Sequence, residues 1–242
     1  MRGTLHLVPT CDVGWMLGLT RRKMLATARR PQAQLGRGEG LLARGAEIVE
    51  ATAAGGPVAR SACVDELARA GFDVSGGRSY QYVSYAAMDA RIALGPVEDG
   101  DPMVVHLPSW GPSQVDRSGD EALAEMARRY LRSHGPATRH DLAAWTGLGL
   151  RDVDRAVHVL GAAVVTVTCD GLPMLLDAES ADAAPAAIPD EVVLLPAFDE
   201  WIIGYRDRRH TVAAHHVPAL APSGNGVFRG TAVRRGEVVG TW

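Results

Sequence analysis

Few residues in this chain could do chemistry, and they are scattered. His215-His216 offers two imidazoles with no cysteine nearby and no partnered carboxylate, so a loop or surface pair is expected rather than a metal centre. Asp199 and Glu200 are adjacent. On a strand they would face opposite sides, which suits no mechanism with two cooperating carboxylates. The expectation is that one of them pairs with Arg206 or Arg208 and orients a basic loop. Gln32-Ala33-Gln34 could hold a water or a base edge, but glutamine is no general base near neutral pH, and its surroundings read as loop. Trp15, Trp110, Trp145 and Trp201 read as core. The chain has no GxGxxG after a strand, no GxxxxGK[ST], no HExxH and no GxSxG. Cys11, Cys63 and Cys169 are odd in number and widely spaced, which encodes neither a disulfide framework nor a zinc site. From the residues alone the catalytic groups are unknown, and no metal or cofactor is expected.

Charge says more than any single motif. The net charge of the 242 residues is −3, and 24 of the 25 basic residues are arginine, a skew that fits a high-GC genome. Residues 1–44 are net +6, residues 45–200 net −13 and residues 201–242 net +4. Basic ends let a mildly acidic chain hold a polyanion, because the local field matters more than the total. The composition, 47% hydrophobic and 22% charged, is that of a globular protein and excludes general disorder or a fibrous repeat. No apolar run is long enough for a membrane span, and the opening Met1-Arg2-Gly3-Thr4-Leu5-His6 lacks a signal-peptide core. The expected location is the cytoplasm.

The elements that must position these residues follow a repeating order. Met1 to Val8 reads as a short strand, then a helix capped by Thr10 or Asp12 runs through Trp15, Met16 and Leu19 to Arg21-Arg22-Lys23. Three helices follow. The first carries Leu41, Leu42, Ile48 and Val49 on one face, the second is capped by Ser61 and stopped by Gly71, and the third spans Ser79 to Leu94. A turn at Asp99-Gly100 and a strand over Met103–Leu107 close the unit. The order then recurs about 80 residues on, a spacing read from the sequence itself. Helices over 121–133, 139–146 (capped by Thr138) and 150–160 lead to a hairpin turning at Asp170-Gly171. Three helices and a hairpin, twice, is the order of tandem winged helix-turn-helix units. Beyond Ser180–Pro185, a small-residue linker, Val192–Leu195 reads as a buried strand. Gly226–Trp242 reads as a hairpin turning at Arg235-Gly236. The fold class is therefore α+β, with expected domains at 1–38, 39–112, 118–180 and 188–242. In a helix-turn-helix the last helix enters the major groove. Arg78-Ser79-Tyr80-Gln81 begins that helix in the first unit, which makes Arg78 and Gln81 candidate DNA contacts. Arg151-Asp152-Val153-Asp154-Arg155 in the second unit mixes carboxylates among its arginines and reads as scaffold.

Four stretches together resemble a known family. They are Met1–Val8, Arg129–Gly147 with His134-Gly135-Pro136-Ala137-Thr138, Leu194–Arg208 with Phe198-Asp199-Glu200 and Gly204-Tyr205-Arg206-Asp207-Arg208, and Asn225-Gly226-Val227-Phe228-Arg229. In this order they resemble the bacterial winged-helix DNA-binding family that includes glycosylases unhooking alkylated bases and interstrand crosslinks. The resemblance implies tandem winged helices joined to a β-rich C-terminal part around a DNA channel. It implies phosphate contacts at Arg2, Arg206, Arg208 and Arg229, with His6 and Tyr205 nearby. The implied reaction is hydrolysis of the N-glycosidic bond of a cationic, alkylated purine. Such a base already leaves readily, so the protein need only position water and stabilise the sugar cation.

The sequence departs from the family pattern in two places. The family's catalytic glutamine motif precedes the Arg-Gly-Thr-Leu-His strand, with which this chain begins, and family members continue past the position of Trp242. The expectation is a fragment, a mis-set start or a degenerate member, with Gln32-Ala33-Gln34 a coincidence of letters. The expected partner is double-stranded DNA, with no membrane, bound by a monomer. The alternatives are an active glycosylase, a transcription-factor-like binder that prefers one sequence, and a truncated chain with no stable fold.

Overall fold

A computed structural model describes residues 5–34, 39–183, 188, 190–222, 224 and 226–242, with the backbone alone for 27–34 and 39. The chain is α+β and divides into two compact units, residues 3–122 and 123–242. Among the described residues no helix is long and apolar enough to cross a membrane.

The first unit opens on Leu5–Pro9, which makes no ladder with any described residue. The expected strand is therefore not formed over residues 5–8, and Met1–Thr4 lie outside the described residues. A strand is fixed by pairing, and alternation without a partner leaves Leu5 and Leu7 in solvent. A turn at Thr10–Asp12 leads into α1, Val13–Gln34. The Asp12 carboxylate accepts from the Trp15 indole Nε1 at 2.8 Å, and Trp15 is buried as expected. The backbone of Gln32-Ala33-Gln34 is helical rather than loop, because α1 runs further than its apolar pattern.

Next come α2 (Glu39–Ala53), α3 (Arg60–Arg69), α4 (Arg78–Met88), β1 (Ile92–Glu98) and β2 (Asp101–His106). Leu42, Ala46 and Val49 of α2 pack with Cys63 and Leu67 of α3, Tyr82 and Ala86 of α4, Ile92 and Val104. Each fully buried large apolar side chain of this set contributes roughly 1.5–3 kcal/mol. Gly45 allows the close approach of α2 to α4, since a Cβ there would lie 2.4 Å from the Tyr82 ring. Two sequence boundaries are corrected. Ser61 is inside the first turn of α3, whose cap position is Ala59 with no side-chain bond. The third helix ends at Met88, not Leu94, because Ala90 turns at φ +60° and Ile92–Leu94 pair with Val104–His106. Asp99 and Gly100 both take positive φ, the conformation a two-residue hairpin needs.

The second unit holds most of α5 (Gly119–His134), then α6 (Arg139–Thr146), α7 (Leu150–Leu160), β3 (Val164–Cys169), β4 (Leu172–Asp177) and the single turn α8 (Ala178–Ala181). Leu123, Met126, Ala127, Tyr130 and Leu131 form the buried stripe of α5, as their spacing predicts. Thr138 caps α6 in a full capping box with Asp141, and Gly147 ends it at φ +78°. The remainder is β5 (Val192–Leu195), α9 (Glu200–Ile203), α10 (Val217–Leu220), β6 (Thr231–Arg234) and β7 (Glu237–Thr241). The last sheet is antiparallel in the order β5-β6-β7, over a cluster of Ile202, Val212, Leu220, Val233 and Val238. β5 is not the buried strand expected: it lies at the sheet edge with Val192, Val193 and Leu194 exposed. An apolar run specifies a strand but not which of its faces is covered.

Candidate nucleic-acid interface

The second unit builds a basic turn from three elements. Asp199 is not on a strand; its carboxylate accepts from the Trp201 backbone N–H at 2.8 Å and starts α9. Glu200 lies in the first turn of α9. Its Oε2 accepts from the Trp145 indole at 2.8 Å and lies 3.3 Å from His134 Nε2. The helix start turns Glu200 toward α5 and α6.

The chain after α9 is pinned at consecutive residues. The Tyr130 hydroxyl donates to the Gly204 carbonyl at 2.9 Å, and the Tyr205 hydroxyl donates to the His134 carbonyl at 3.0 Å. Burial, with Asp141 and Glu200 adding to it, pushes the Tyr205 hydroxyl above its ordinary pKa, so it stays a proton donor. Tyr130 and His134 stack with ring centroids 4.7 Å apart. Gly204 must be glycine there, because a Cβ would lie 2.6 Å from the His134 ring.

The next two residues are held by Asp141, which is 2% exposed. Its Oδ1 accepts from the backbone N–H groups of Arg206 at 2.8 Å and Asp207 at 3.0 Å. Its Oδ2 accepts from the Thr138 N–H at 2.9 Å and the Thr138 hydroxyl at 2.6 Å. One buried carboxylate thus caps α6 and grips a turn 65 residues later. Sequence reasoning missed Asp141 in this role, although Thr138-x-x-Asp141 is a visible capping-box signal.

The side chains of the turn divide clearly. The Asp207 carboxylate accepts from Arg209 at 2.8 Å, and that bond, outweighing the effect of burial, holds its pKa below the ordinary carboxylate range. Arg234 and Arg235 both face Asp190. Arg208 donates Nε to the Ile202 carbonyl at 2.6 Å and lies over the Phe228 ring, 5.1 Å from its centroid. Arg206 and Arg229 are exposed and, among the described residues, carry no carboxylate partner. Tyr205, Arg206 and Arg208 therefore share one turn, and the segment before Arg229 packs under Arg208.

The other candidates are placed elsewhere. Arg2 lies outside the described residues, as does Asn225, and His6 is half-buried in the first unit. Arg78 begins α4 as expected but is paired with Asp73 and bonded to Ser75 Oγ at 3.0 Å. Gln81 is half-buried, while Tyr80 beside it is 62% exposed. At the start of α7 Asp154 pairs with Arg139 at 3.0 Å. His215 and His216 form a short turn with ring centroids 3.9 Å apart. Among the described residues no cluster of three metal-ligating side chains occurs.

An α+β chain that repeats three helices and a hairpin, then displays arginines from a turn anchored on a helix start, defines a narrow class. The family model of AlkZ-like DNA glycosylases matches residues 1–242, and the chain belongs to that family. A solved structure, the DNA glycosylase AlkZ of Streptomyces sahachiroi, is similar with a TM-score of 0.78 and 22% identity. The likeness covers 100% of this chain and 68% of that one, and at that identity it establishes the fold. No curated protein matches the chain.

Proposed function

We propose that this chain binds double-stranded DNA, and that Arg206, Arg208 and Arg229 meet its phosphates beside Tyr205. The observation that carries the reading is the sorting of the C-terminal arginines. Arg209, Arg234 and Arg235 are tied to carboxylates, while Arg206 and Arg229 are exposed without one among the described residues; Arg208 is held in the same turn by the Ile202 carbonyl and the Phe228 ring. Arginines neutralised by acids cannot exchange counterions with a phosphate backbone; displayed ones can. Membership in a DNA glycosylase family supports the same partner.

Within this reading, residues 39–112 and 118–180 act as winged helices, 1–38 belongs to an N-terminal winged helix and 188–242 supplies the basic turn. The pairing of Arg78 with Asp73 leaves Tyr80 as the better-presented residue at the start of α4. A monomer acting on DNA in the bacterial cytoplasm suits this arrangement. Base release belongs to the family's chemistry. Gln32-Ala33-Gln34 on α1 is the chain's single Gln-x-Gln.

The test is binding of the purified chain to matched duplexes, undamaged and carrying an alkylated purine, across a salt series, with base release read in the same tubes. Salt-sensitive binding that weakens in Arg206→Glu/Arg208→Glu is expected. Unchanged affinity and salt slope in that variant would sink the assignment. Release above background would add hydrolysis and direct the next substitutions to Gln32 and Gln34. A strong preference for one undamaged sequence would favour a regulatory binder.

A further inference from the structure

We propose that Asp141 is the positioning residue of the DNA-contacting turn, setting the direction of Arg206 before DNA arrives. The inference rests on the duplex-binding reading above and assigns a role to a residue that does not itself touch DNA.

A carboxylate serving only as a helix cap needs one oxygen. Here Oδ2 does that work with Thr138, and Oδ1 is given to two successive backbone N–H groups at Arg206 and Asp207. Two adjacent amides on one oxygen fix the dihedral angles between them, and hence the exit direction of the Arg206 side chain. The bonds are charge-assisted and the residue is buried, so water competes poorly for either oxygen. Upstream, Tyr130 and Tyr205 fix the backbone at Gly204 and His134, so the turn is held at its entry as well. A turn ordered in advance pays less entropy when it binds a phosphate, which is how an indirect residue gains leverage on affinity.

Position and stability can be separated because the two oxygens have different clients. Asp141→Ala removes both the cap and the grip. Thr138→Ala weakens the cap and leaves the Oδ1 bonds in place. Both variants of the full chain are titrated with a fluorescein-labelled undamaged duplex across salt, and their Tm is measured. The expected result is a lower Tm in both, with a changed salt slope in Asp141→Ala alone. Each phosphate contact adds about 0.9 to the log–log slope, so losing that of Arg206 reduces its steepness by roughly 1. Between about 50 and 200 mM salt the wild type then loses roughly three- to fourfold more affinity than Asp141→Ala. Slopes that match in wild type, Thr138→Ala and Asp141→Ala overturn the inference, as do slopes that track Tm in both variants. A wild type with no salt-dependent binding removes the duplex reading itself, which is a different failure.

If Asp141→Ala does not fold, Asp141→Asn serves. Its NH2 must face N–H donors on one side, so either the cap or the turn gives way, and hydrogen exchange at the Arg206 and Asp207 amides reports which. Binding that weakens as those two amides lose protection supports the inference. Wild-type binding with both amides exchanging freely overturns it.

Discussion

Among single residues, Cys63 gives the cleanest pH expectation. It is fully buried in the first unit, and burial pushes its thiol up to about 11. A raised folded pKa means the neutral form is favoured in the native state. The stabilisation is whole below the unfolded thiol pKa and is lost as pH rises through about 11. In a thiol titration of the native chain at about pH 8, Cys63 is expected to stay unreacted until denaturant is added, because reaction needs an exposed thiolate. Rapid native labelling of Cys63 would contradict its placement. Thr231 makes a second case, since its hydroxyl is buried with no partner among the described residues. Thr231→Val is expected to raise stability by about 1 kcal/mol in urea unfolding, by removing an unsatisfied polar group of similar shape. A lower midpoint would show that the hydroxyl is used.

At the element scale the tie between α5 and the turn after α9 is the one to probe. Tyr130→Phe leaves the Gly204 carbonyl without its 2.9 Å donor in a buried setting and is expected to cost about 1–3 kcal/mol. Gly204→Ala should cost a similar amount by overpacking against His134. Elements of this kind were legible where a local signal exists. Thr138 and Gly147 bracket α6, and Asp99-Gly100, Asp170-Gly171 and Arg235-Gly236 mark three hairpins, each with positive φ at both turn residues. What sequence could not supply was the partner of each element. Residues 5–8 alternate like a strand yet pair with nothing described, and β5 is apolar yet exposed. The role of Glu200 depended on a helix start that brought it to Trp145 and His134, residues 55 and 66 positions away. Composition and periodicity are local quantities, and those contacts are not.

For the whole molecule, net charge and binding pull in opposite directions. A chain of net −3 is repelled by DNA at long range, so attraction has to come from local clusters of basic side chains. With Arg206, Arg208 and Arg229 as the phosphate contacts, the log–log salt slope is expected near −3, at about 0.9 each. Arg229→Ala should reduce it by about 1. A slope near −10 would mean a far larger electrostatic footprint than the second unit displays. The two basic ends and acidic middle were read directly from the sequence. Which arginines are displayed was not, because Asp190 and Asp207 claim theirs only once the chain is folded.

The grip of Asp141 falls on main-chain amides, which every residue except proline possesses. The Asp207 carboxylate also holds Arg209 within the turn, but the scaffold is indifferent to what position 206 carries. Side chains there can be exchanged freely, by drift or by a laboratory library, while the turn keeps its shape. Variation in affinity or substrate preference could accumulate at position 206 at little cost to folding. Only proline should be absent from the survivors of such a library.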